Sequence, residues 1–313
     1  MSQAAVALGF DAGGQSIKAV AVDAAGQVLA SATLPTGEST TVESFAASLV
    51  ALRDELLPGA RVSIGLGVAG VLDRSGALRG SPHLPLLIGS RLGEELSARL
   101  GQSACVHNDA DCAAVAEGWT GAAQGRDDFL MIAVGTGLGS GLVLGGKLRA
   151  GASGYGCELG HMLVAYEGRL CGCGNRGCLE AYISETAARA QVAEASRGLR
   201  DRVAARRQAW GGGAAEAVFG LGQDGDEEAE AVASSMVEVL GAAIASAVNT
   251  LDLTTVVLGG GIAPGVLARL TRLLAGAQKN LFARPVADLE ILAAECGPLA
   301  GAVGAARLGM LAR

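Results

Sequence analysis

The first 35 residues alternate apolar and polar positions with a period of two, which is typical of half-buried β-strands. The pattern predicts a first strand over residues 6–10 and a second over 17–22. A third is predicted over 28–33. Glycine-containing turns at residues 11–14 and 25–26 separate these strands. The chain is therefore predicted to open with an antiparallel meander.

Helical spacing follows the meander. Phe45, Leu49, Leu52 and Leu56 recur at intervals of four, three and four residues, so they share one face of a helix. The same criteria predict a strand at 62–68, a helix at 92–100, a strand at 104–107 and a helix at 109–119. The first half is thus predicted to follow the order βββαβαβα.

The second half repeats this plan without repeating its sequence. Strands are predicted at 129–134, 141–144 and 147–150, then at 255–258 and 289–293. Helices are predicted at 185–208, 227–249, 265–274 and 298–311. We predict an α/β protein with two domains facing each other across a cleft. The smaller domain would span 1–121, joined by the C-terminal helix 298–313, and the larger would span 122–297.

Composition narrows the function classes. The 313 residues are 50% apolar and 18% charged, with a net charge of −7, which argues against a nucleic-acid partner. No apolar run is long enough to suggest a membrane span, and residues 1–10 lack the features of a signal peptide. These observations predict a cytoplasmic protein without a membrane partner.

A cluster of metal-ligand residue types is the strongest chemical signal. His161 is followed by Cys171, Cys173 and Cys178, with glycines between the cysteines. Three thiolates and one imidazole are a typical ligand set for structural zinc. The alternative is a set of buried or redox-active thiols without a metal.

Two glycine-rich turns are candidate phosphate sites. Residues 11–18 and 135–139 occupy equivalent positions in the two halves, and glycine lets backbone N–H groups approach an anion. Asp11 is a candidate to hold magnesium or its water. Gly259, Gly260 and Gly261 follow an apolar strand and are candidates for contact with a flat ligand such as adenine. For both features, plain glycine-containing turns are the alternative.

Asp109 lies where a predicted strand meets a predicted helix. A carboxylate there is either a helix N-cap or, at the rim of a cleft, a general base that takes a proton from a substrate hydroxyl.

In combination these motifs resemble those of the ROK family (repressors, ORFs and sugar kinases). The residues that carry the resemblance are Asp11-x-Gly-Gly-x-x-x-Lys18, Asn108-Asp109-Ala110, Gly135-Thr-Gly-x-Gly139, Glu158-x-Gly-His161 and Cys171-Gly-Cys-Gly-Asn-Arg-Gly-Cys-Leu-Glu180. They occur in the family's order along nearly the whole chain. The resemblance implies the actin-like (ribonuclease H-like) two-domain sugar-kinase fold, with ATP, magnesium, structural zinc and a hexose as ligands.

The resemblance also implies a role for each matched position. Asp109 would be the catalytic base for the 6-hydroxyl of the sugar. The sugar would be bound by Asn108, Asp109, Glu158, His161, Glu180 and His83. The nucleotide would be bound by Asp11, Gly13, Gly14, Gln15, Lys18, Gly135, Thr136, Gly137, Gly259, Gly260 and Gly261. Zinc would be held by His161, Cys171, Cys173 and Cys178, with the second ring nitrogen of His161 directed to the sugar.

Four positions depart from the family's usual pattern. Gln15 stands in place of threonine, and His83 in place of an asparagine that contacts the sugar. Asp111 replaces asparagine two residues after Asp109, where a like charge is expected to raise the pKa of that carboxyl. Cys157 replaces the glycine that precedes Glu158.

The resemblance favours an ATP-dependent glucokinase and implies a homodimer or a dimer of dimers. N-acetylglucosamine, N-acetylmannosamine, mannose and fructose are alternative acceptors, and polyphosphate is an alternative donor. Repressors of the family carry an N-terminal helix-turn-helix domain, for which a first strand at Val6 leaves no room. A sugar-sensing protein without kinase activity is the alternative from a different functional class.

Overall fold

The computed structural model describes residues 6–312, which divide into two compact units. Unit 1 comprises the described residues of Met1–Met131, Gly141–Cys157 and Ala294–Arg313. Unit 2 comprises Ile132–Ser140 and Glu158–Ala293.

The first sheet lies in unit 1 and has the strand order β3-β2-β1-β4-β7. Its strands are β1 (Ala7–Ala12), β2 (Ser16–Val22), β3 (Val28–Pro35), β4 (Ser63–Val68) and β7 (Ala104–Asn108). The predicted meander is observed, since β1 pairs antiparallel with β2 and β2 with β3. β4 lies parallel to both β1 and β7. A small hairpin of β5 (Val71–Leu72) and β6 (Leu78–Gly80), which the sequence pattern did not predict, follows β4.

The helices of unit 1 agree closely with the periodicity. They are α1 (Val42–Leu56), α2 (Leu92–Leu100), α3 (Asp109–Thr120) and α10 (Ala300–Leu311). Leu8 and Phe10 of β1 share a core cluster with residues of α1 and α2, whereas Ala7 shares one with residues of α3 and α10. The sheet is therefore buried on both faces, as parallel-strand sheets usually are.

Small residues let α10 approach the sheet and α3 closely. A Cβ at Gly9 of β1 or at Gly65 of β4 would collide with the backbone of α10, and a Cβ at Gly304 of α10 would collide with the carbonyl oxygen of Cys112 in α3. The C-terminal helix is thus part of unit 1.

The second sheet has the strand order β10-β9-β8-β11-β12, the same plan as the first. Its strands are β8 (Phe129–Val134), β9 (Leu138–Leu144), β10 (Lys147–Leu148), β11 (Thr255–Gly259) and β12 (Glu290–Ala293). β9 pairs antiparallel with β10, and β11 pairs parallel with β12.

The helices of unit 2 differ from the sequence prediction in three places. They are α4 (Glu185–Glu194), α5 (Arg197–Trp210), α6 (Ala214–Gln223), α7 (Glu227–Leu251), α8 (Ala263–Leu267) and α9 (Leu270–Gln278). The single helix predicted at 185–208 is two, because the hydroxyl of Ser196 caps a new helix by accepting from the amide of Leu199 at 3.1 Å. The helix predicted at 265–274 is likewise divided into α8 and α9, and α6 was not predicted.

α7 corrects one expectation from composition. Among the described residues it is long and apolar enough, by length and composition, to cross a membrane, although no such run was expected. In this structure 61% of its most apolar 18-residue stretch is buried inside the protein. A buried core helix can have this same length and composition.

Candidate functional site

The first glycine-rich turn joins β1 and β2 through three residues. The amide of Gly13 donates to the carbonyl oxygen of Ser16 at 3.0 Å, and the hydroxyl of Thr36 donates to the carbonyl oxygen of Gly13 at 2.7 Å. The carbonyl oxygen of Gln15 accepts from the amide of Thr36 at 3.0 Å, while the side chain of Gln15 is exposed. Thr36, the residue that follows β3, therefore holds the turn through both its amide and its hydroxyl.

His83 lies directly on this turn. A Cβ at Gly14 would lie 2.5 Å from the Cβ of His83 and 2.7 Å from its Cγ, so only glycine permits the contact. The resemblance predicted that His83 would contact the sugar. The structure brings it against the predicted phosphate turn, and its contact with sugar stays a prediction.

Asp11 and Lys18 face each other in the register of β1 and β2. Desolvation by burial raises the pKa of the Asp11 carboxyl, and the charge of Lys18 partly opposes this effect. Lys18 donates to the carbonyl oxygen of Pro298 at 2.9 Å, and a Cβ at Gly301 would lie 2.6 Å from the Cγ of Asp11. The first turn of α10 therefore packs against Asp11, and the segment just before α10 accepts the hydrogen bond of Lys18.

Asn108, rather than Asp109, caps α3. The Asn108 side-chain oxygen accepts from the amides of Ala110 at 2.8 Å and Asp111 at 3.1 Å, and its side-chain nitrogen donates to the carbonyl oxygen of Gly70 at 3.1 Å. Asp109 occupies the first helical position, where its carboxylate oxygen lies 3.0 Å from the amide of Ala110. The capping role considered for Asp109 is therefore performed mainly by its neighbour.

The charges of three carboxylates act on Cys112 near the start of α3. Burial raises the pKa of the Cys112 thiol well above its ordinary value, and the charges of Asp11, Asp111 and Asp109 raise it further. Asp111 is buried, with 6% of its surface exposed. The structure thus brings Asp11 and Asp109 to one acidic region of unit 1, as the cofactor and catalytic predictions require.

The second glycine-rich turn belongs to unit 2. The carbonyl oxygen of Gly135 accepts from the amide of Glu185 at 2.9 Å, and that of Thr136 accepts from the hydroxyl of Thr186 at 3.1 Å. The turn is therefore held by the first residues of α4.

Glu180 contacts this same turn. One of its carboxylate oxygens accepts from the amide of Leu138 at 2.8 Å, and a Cβ at Gly137 would collide with that oxygen. The absence of a side chain at Gly137 thus admits a carboxylate from the metal loop. Glu180 connects the predicted phosphate turn with the predicted sugar-binding segment.

The third glycine segment adjoins the second turn. Gly259 ends β11, and Gly260 has a φ of 86°, where its Cα lies against the backbone of Val134. The amide of Ile262 donates to the carbonyl oxygen of Val134 at 3.1 Å. Because Val134 directly precedes Gly135, the structure brings together the two predicted nucleotide-binding segments of unit 2.

The four predicted metal ligands converge. The ligand atoms of His161, Cys171, Cys173 and Cys178 all lie within 4.8 Å of one another. The Cys173 and Cys178 sulfurs are 3.7 Å apart, and the Cys171 sulfur is 3.8 Å from Nδ1 of His161. Zinc–sulfur bonds of about 2.3 Å in a tetrahedron place sulfurs about 3.8 Å apart. The donor set and its dimensions therefore fit one tetrahedral metal ion.

Two carboxylates lie beside this cluster. The Glu158 pKa is raised, first by desolvation and then by the charge of Glu180, while His161 opposes the shift. One Glu180 oxygen lies 3.7 Å from the sulfur of Cys171. His161 presents Nδ1 to the cluster, which leaves Nε2 as the atom for a hydrogen bond elsewhere.

Sequence reasoning missed the residues that position the second turn. Ser184 caps α4 by accepting from the amide of Ala187 at 2.9 Å. The Glu185 carboxylate accepts from the amides of Ala214 at 2.8 Å and Ala215 at 2.9 Å; these bonds lower its pKa although desolvation opposes them. Ser184, followed by Glu185 before a helical stretch, was a recognisable N-cap signal for α4. The contact of Glu185 with α6 could not be predicted in this way, because α6 is distant in sequence.

Comparison with known proteins shows which family this chain belongs to. The model of the ROK family matches residues 7–310. The chain belongs to the ROK family.

Named ROK relatives include sugar kinases of two specificities. The chain is 32% identical to the glucokinase of Thermotoga maritima over 262 residues, covering 82% of this chain and 81% of the relative. It is 33% identical to the N-acetylmannosamine kinase of Escherichia fergusonii, covering 96% and 97%.

A ROK family glucokinase from Streptomyces griseus, solved in complex with glucose and AMPPNP, has a similar structure. Its TM-score is 0.82 at 30% identity, with 98% of this chain and 99% of that chain covered. The fold class inferred from the motifs is confirmed: the chain has the actin-like fold of the ROK sugar kinases. The similarity to these sugar kinases supports phosphotransfer to a sugar.

Proposed function

We propose that this protein transfers the γ-phosphoryl group of ATP to the 6-hydroxyl of a hexose, with glucose as the preferred acceptor. The observation that carries the proposal is the position of Asp109 at the first residue of α3, beside a separate N-cap. At this position the backbone of Asp109 is held in the helix, while the neighbouring Asn108 serves as the main N-cap.

In the proposed reaction, Asp109 accepts the proton of the 6-hydroxyl as that oxygen attacks the γ-phosphorus. The bond between this phosphorus and the β,γ-bridging oxygen breaks, and ADP leaves. The backbone of the turns at Gly13 and Gly135 binds phosphate oxygens, while Glu158 and Glu180 bind sugar hydroxyls. Asp11 would hold the magnesium ion that accompanies the nucleotide, and this ion would neutralise charge on the phosphates.

Asp109→Asn tests the base directly. Loss of a general base is expected to lower kcat by roughly 10²–10⁴-fold, with the sugar KM changed only a few-fold. Asp111→Asn is the matched control, because it makes the same chemical change two residues away and restores the residue usual in the family. Retained kcat in Asp109→Asn, or an equal loss in both variants, would contradict the assignment.

The acceptor is tested with a panel of glucose, mannose, fructose, N-acetylglucosamine and N-acetylmannosamine, with either ATP or polyphosphate. Glucose is expected to give the highest kcat/KM. N-acetylmannosamine is the second candidate, because a relative of that name matches nearly the full chain at 33% identity. Sugar binding by calorimetry with no transfer from either donor would instead support a sugar sensor.

We also propose that a tetrad of ligands, His161, Cys171, Cys173 and Cys178, binds structural zinc. The zinc would fix the ring of His161 so that its second nitrogen meets the sugar. Elemental analysis is expected to return about one zinc per chain. Cys173→Ser should lose the metal, whereas Cys105→Ser, outside the tetrad, should retain it. Equal metal content in both variants would exclude this site.

The protein is further proposed to be a homodimer, as the family resemblance implied. Light scattering coupled to size-exclusion chromatography measures the mass directly. A mass near that of one 31.1 kDa chain would refute it.

A further inference from the structure

A cavity lies wholly within unit 1, away from the glycine-rich turns. It has a volume of about 530 Å³ and is lined by α3, by the segment joining α3 to β8, by β9 and β10, and by the last turns of α10. Small-molecule sites commonly have volumes of about 300–1,000 Å³. The cavity is therefore large enough for a small organic ligand.

One side of the cavity is apolar. Phe129 is fully buried, and a Cβ at Gly118 would lie 3.1 Å from the Cζ of Phe129, so the glycine lets this ring pack against α3. Val143, Leu148 and Leu308 contribute further apolar lining. This surface suits the hydrocarbon part of a ligand.

The remaining lining carries an excess of positive charge. Arg126, Lys147 and Arg307 line the cavity together with a single carboxylate, that of Asp127. The Arg307 guanidinium carbon lies 4.9 Å from the centroid of the Trp119 ring, a cation–π contact that fixes its position. Arginine and lysine recognise carboxylate, sulfonate and phosphate groups through charge-assisted hydrogen bonds.

Of the two helices that line this cavity, α3 carries the predicted base and α10 packs against a predicted magnesium ligand. α3 begins at Asp109 and reaches the cavity with Gly118 and Trp119. α10 packs against Asp11 at Gly301 and reaches the cavity with Arg307. A ligand between their C-terminal turns therefore contacts both elements that position the predicted base and the predicted magnesium ligand.

We propose that this cavity is a second ligand site, which binds an organic anion with an apolar or aromatic body and thereby alters the Asp109 end of α3. The required ligand combines one carboxylate, sulfonate or phosphate group with a hydrocarbon portion of a few carbon atoms or one ring system. The site is independent of which sugar the protein phosphorylates.

The probe for a test is 8-anilinonaphthalene-1-sulfonate, which has one sulfonate on an aromatic body and fluoresces on binding. It is titrated into the full chain in the presence of magnesium, ATP and a non-reacting sugar analogue, so that the nucleotide segments are occupied. We expect binding of one equivalent. Lys147→Glu should weaken it by roughly tenfold or more, the effect of losing about 1.4 kcal/mol.

Leu311→Trp is the second variant, because this exposed residue lines the cavity and a larger ring there fills it without changing charge. It should also weaken probe binding. Lys279→Glu makes the same charge change as Lys147→Glu on an exposed residue outside the cavity, and should leave the affinity unchanged. No binding, displacement by ATP, or equal affinity in all three variants would overturn the site.

Hydrogen exchange tests the proposed effect on α3. Binding of the probe should change the exchange rates of amides 109–112 in the parent protein and should not do so in Leu311→Trp. Unchanged rates with the probe bound would refute the effect on the Asp109 end.

Discussion

Glu117 allows a stability prediction whose size follows from its contacts. Its side chain in α3 is fully buried, and its carboxylate accepts from three backbone amides: Ala122 at 2.9 Å, Glu295 at 3.0 and 3.1 Å, and Cys296 at 2.9 Å. These bonds join the end of α3 to the segment that leads into α10.

Glu117→Ala should therefore be strongly destabilising. Hydrogen bonds to charged groups contribute about 1.5–3 kcal/mol each, so three at the lower limit amount to about 4.5 kcal/mol. Glu117→Gln keeps one acceptor oxygen, and about half that loss is expected. Since domains are stable by only about 5–15 kcal/mol, the alanine variant should be near its unfolding threshold at ordinary temperature.

The assay is urea unfolding followed by the fluorescence of Trp119, which lies two residues after Glu117. Trp210, the second tryptophan, is replaced by phenylalanine in every variant so that the signal reports unit 1. Glu55→Gln, at an exposed position of α1, is the matched control and should shift the free energy of unfolding by less than about 0.5 kcal/mol. A loss below about 1 kcal/mol in Glu117→Ala would refute the reasoning.

Three further predictions concern backbone conformation, packing and pH. Cys157 has a φ of 62°, so Cys157→Gly should raise the free energy of unfolding by up to about 1 kcal/mol, measured by urea unfolding; a decrease would contradict the strain. Gly304→Val should lower the free energy of unfolding by about 3 kcal/mol or more, because the new side chain collides with Cys112. Gly80→Ala is the control: a Cβ there meets open space, so the free energy of unfolding should change little. Because the pKa of Asp11 is raised in the folded protein, its ionised form opposes folding at neutral pH. Asp11→Asn should therefore raise Tm at pH 7, and should raise it less as the pH falls toward 4. An equal gain in Tm at both pH values would show that charge burial is not the cause.

Local patterns predicted most elements of unit 1, because the buried apolar residues of its helices and strands recur at regular spacings along the chain. The stripe from Phe45 to Leu56 and the glycine after Leu100 were sufficient to place α1 and α2 within a few residues. α6 was missed because it is only ten residues long and contains two glycines, Gly220 and Gly222, which weaken a helix prediction. Its position depends instead on Glu185, whose carboxylate binds the first amides of that helix.

The candidate site divides in the same way. The spacing of His161 and the three cysteines was enough to predict a ligand set, because a short glycine-containing loop brings its own sulfurs together. The contact of His83 with Gly14, and that of Glu180 with Gly137, join residues about 70 and 40 positions apart. Periodicity carries no information about such pairs, since they form only when separate elements pack.

The sequence by itself determined most of the order of strands and helices, the glycine turns, the candidate metal-ligand set and the family, because each of these is carried by residues close together in the chain. Tertiary structure decided that Asn108 caps α3 beside Asp109, that α10 packs on the first sheet against Asp11, and that Glu117 joins α3 to the segment before α10. The physical reason is that hydrogen-bond partners and close backbone approaches depend on the distance between elements, and only packing fixes that distance.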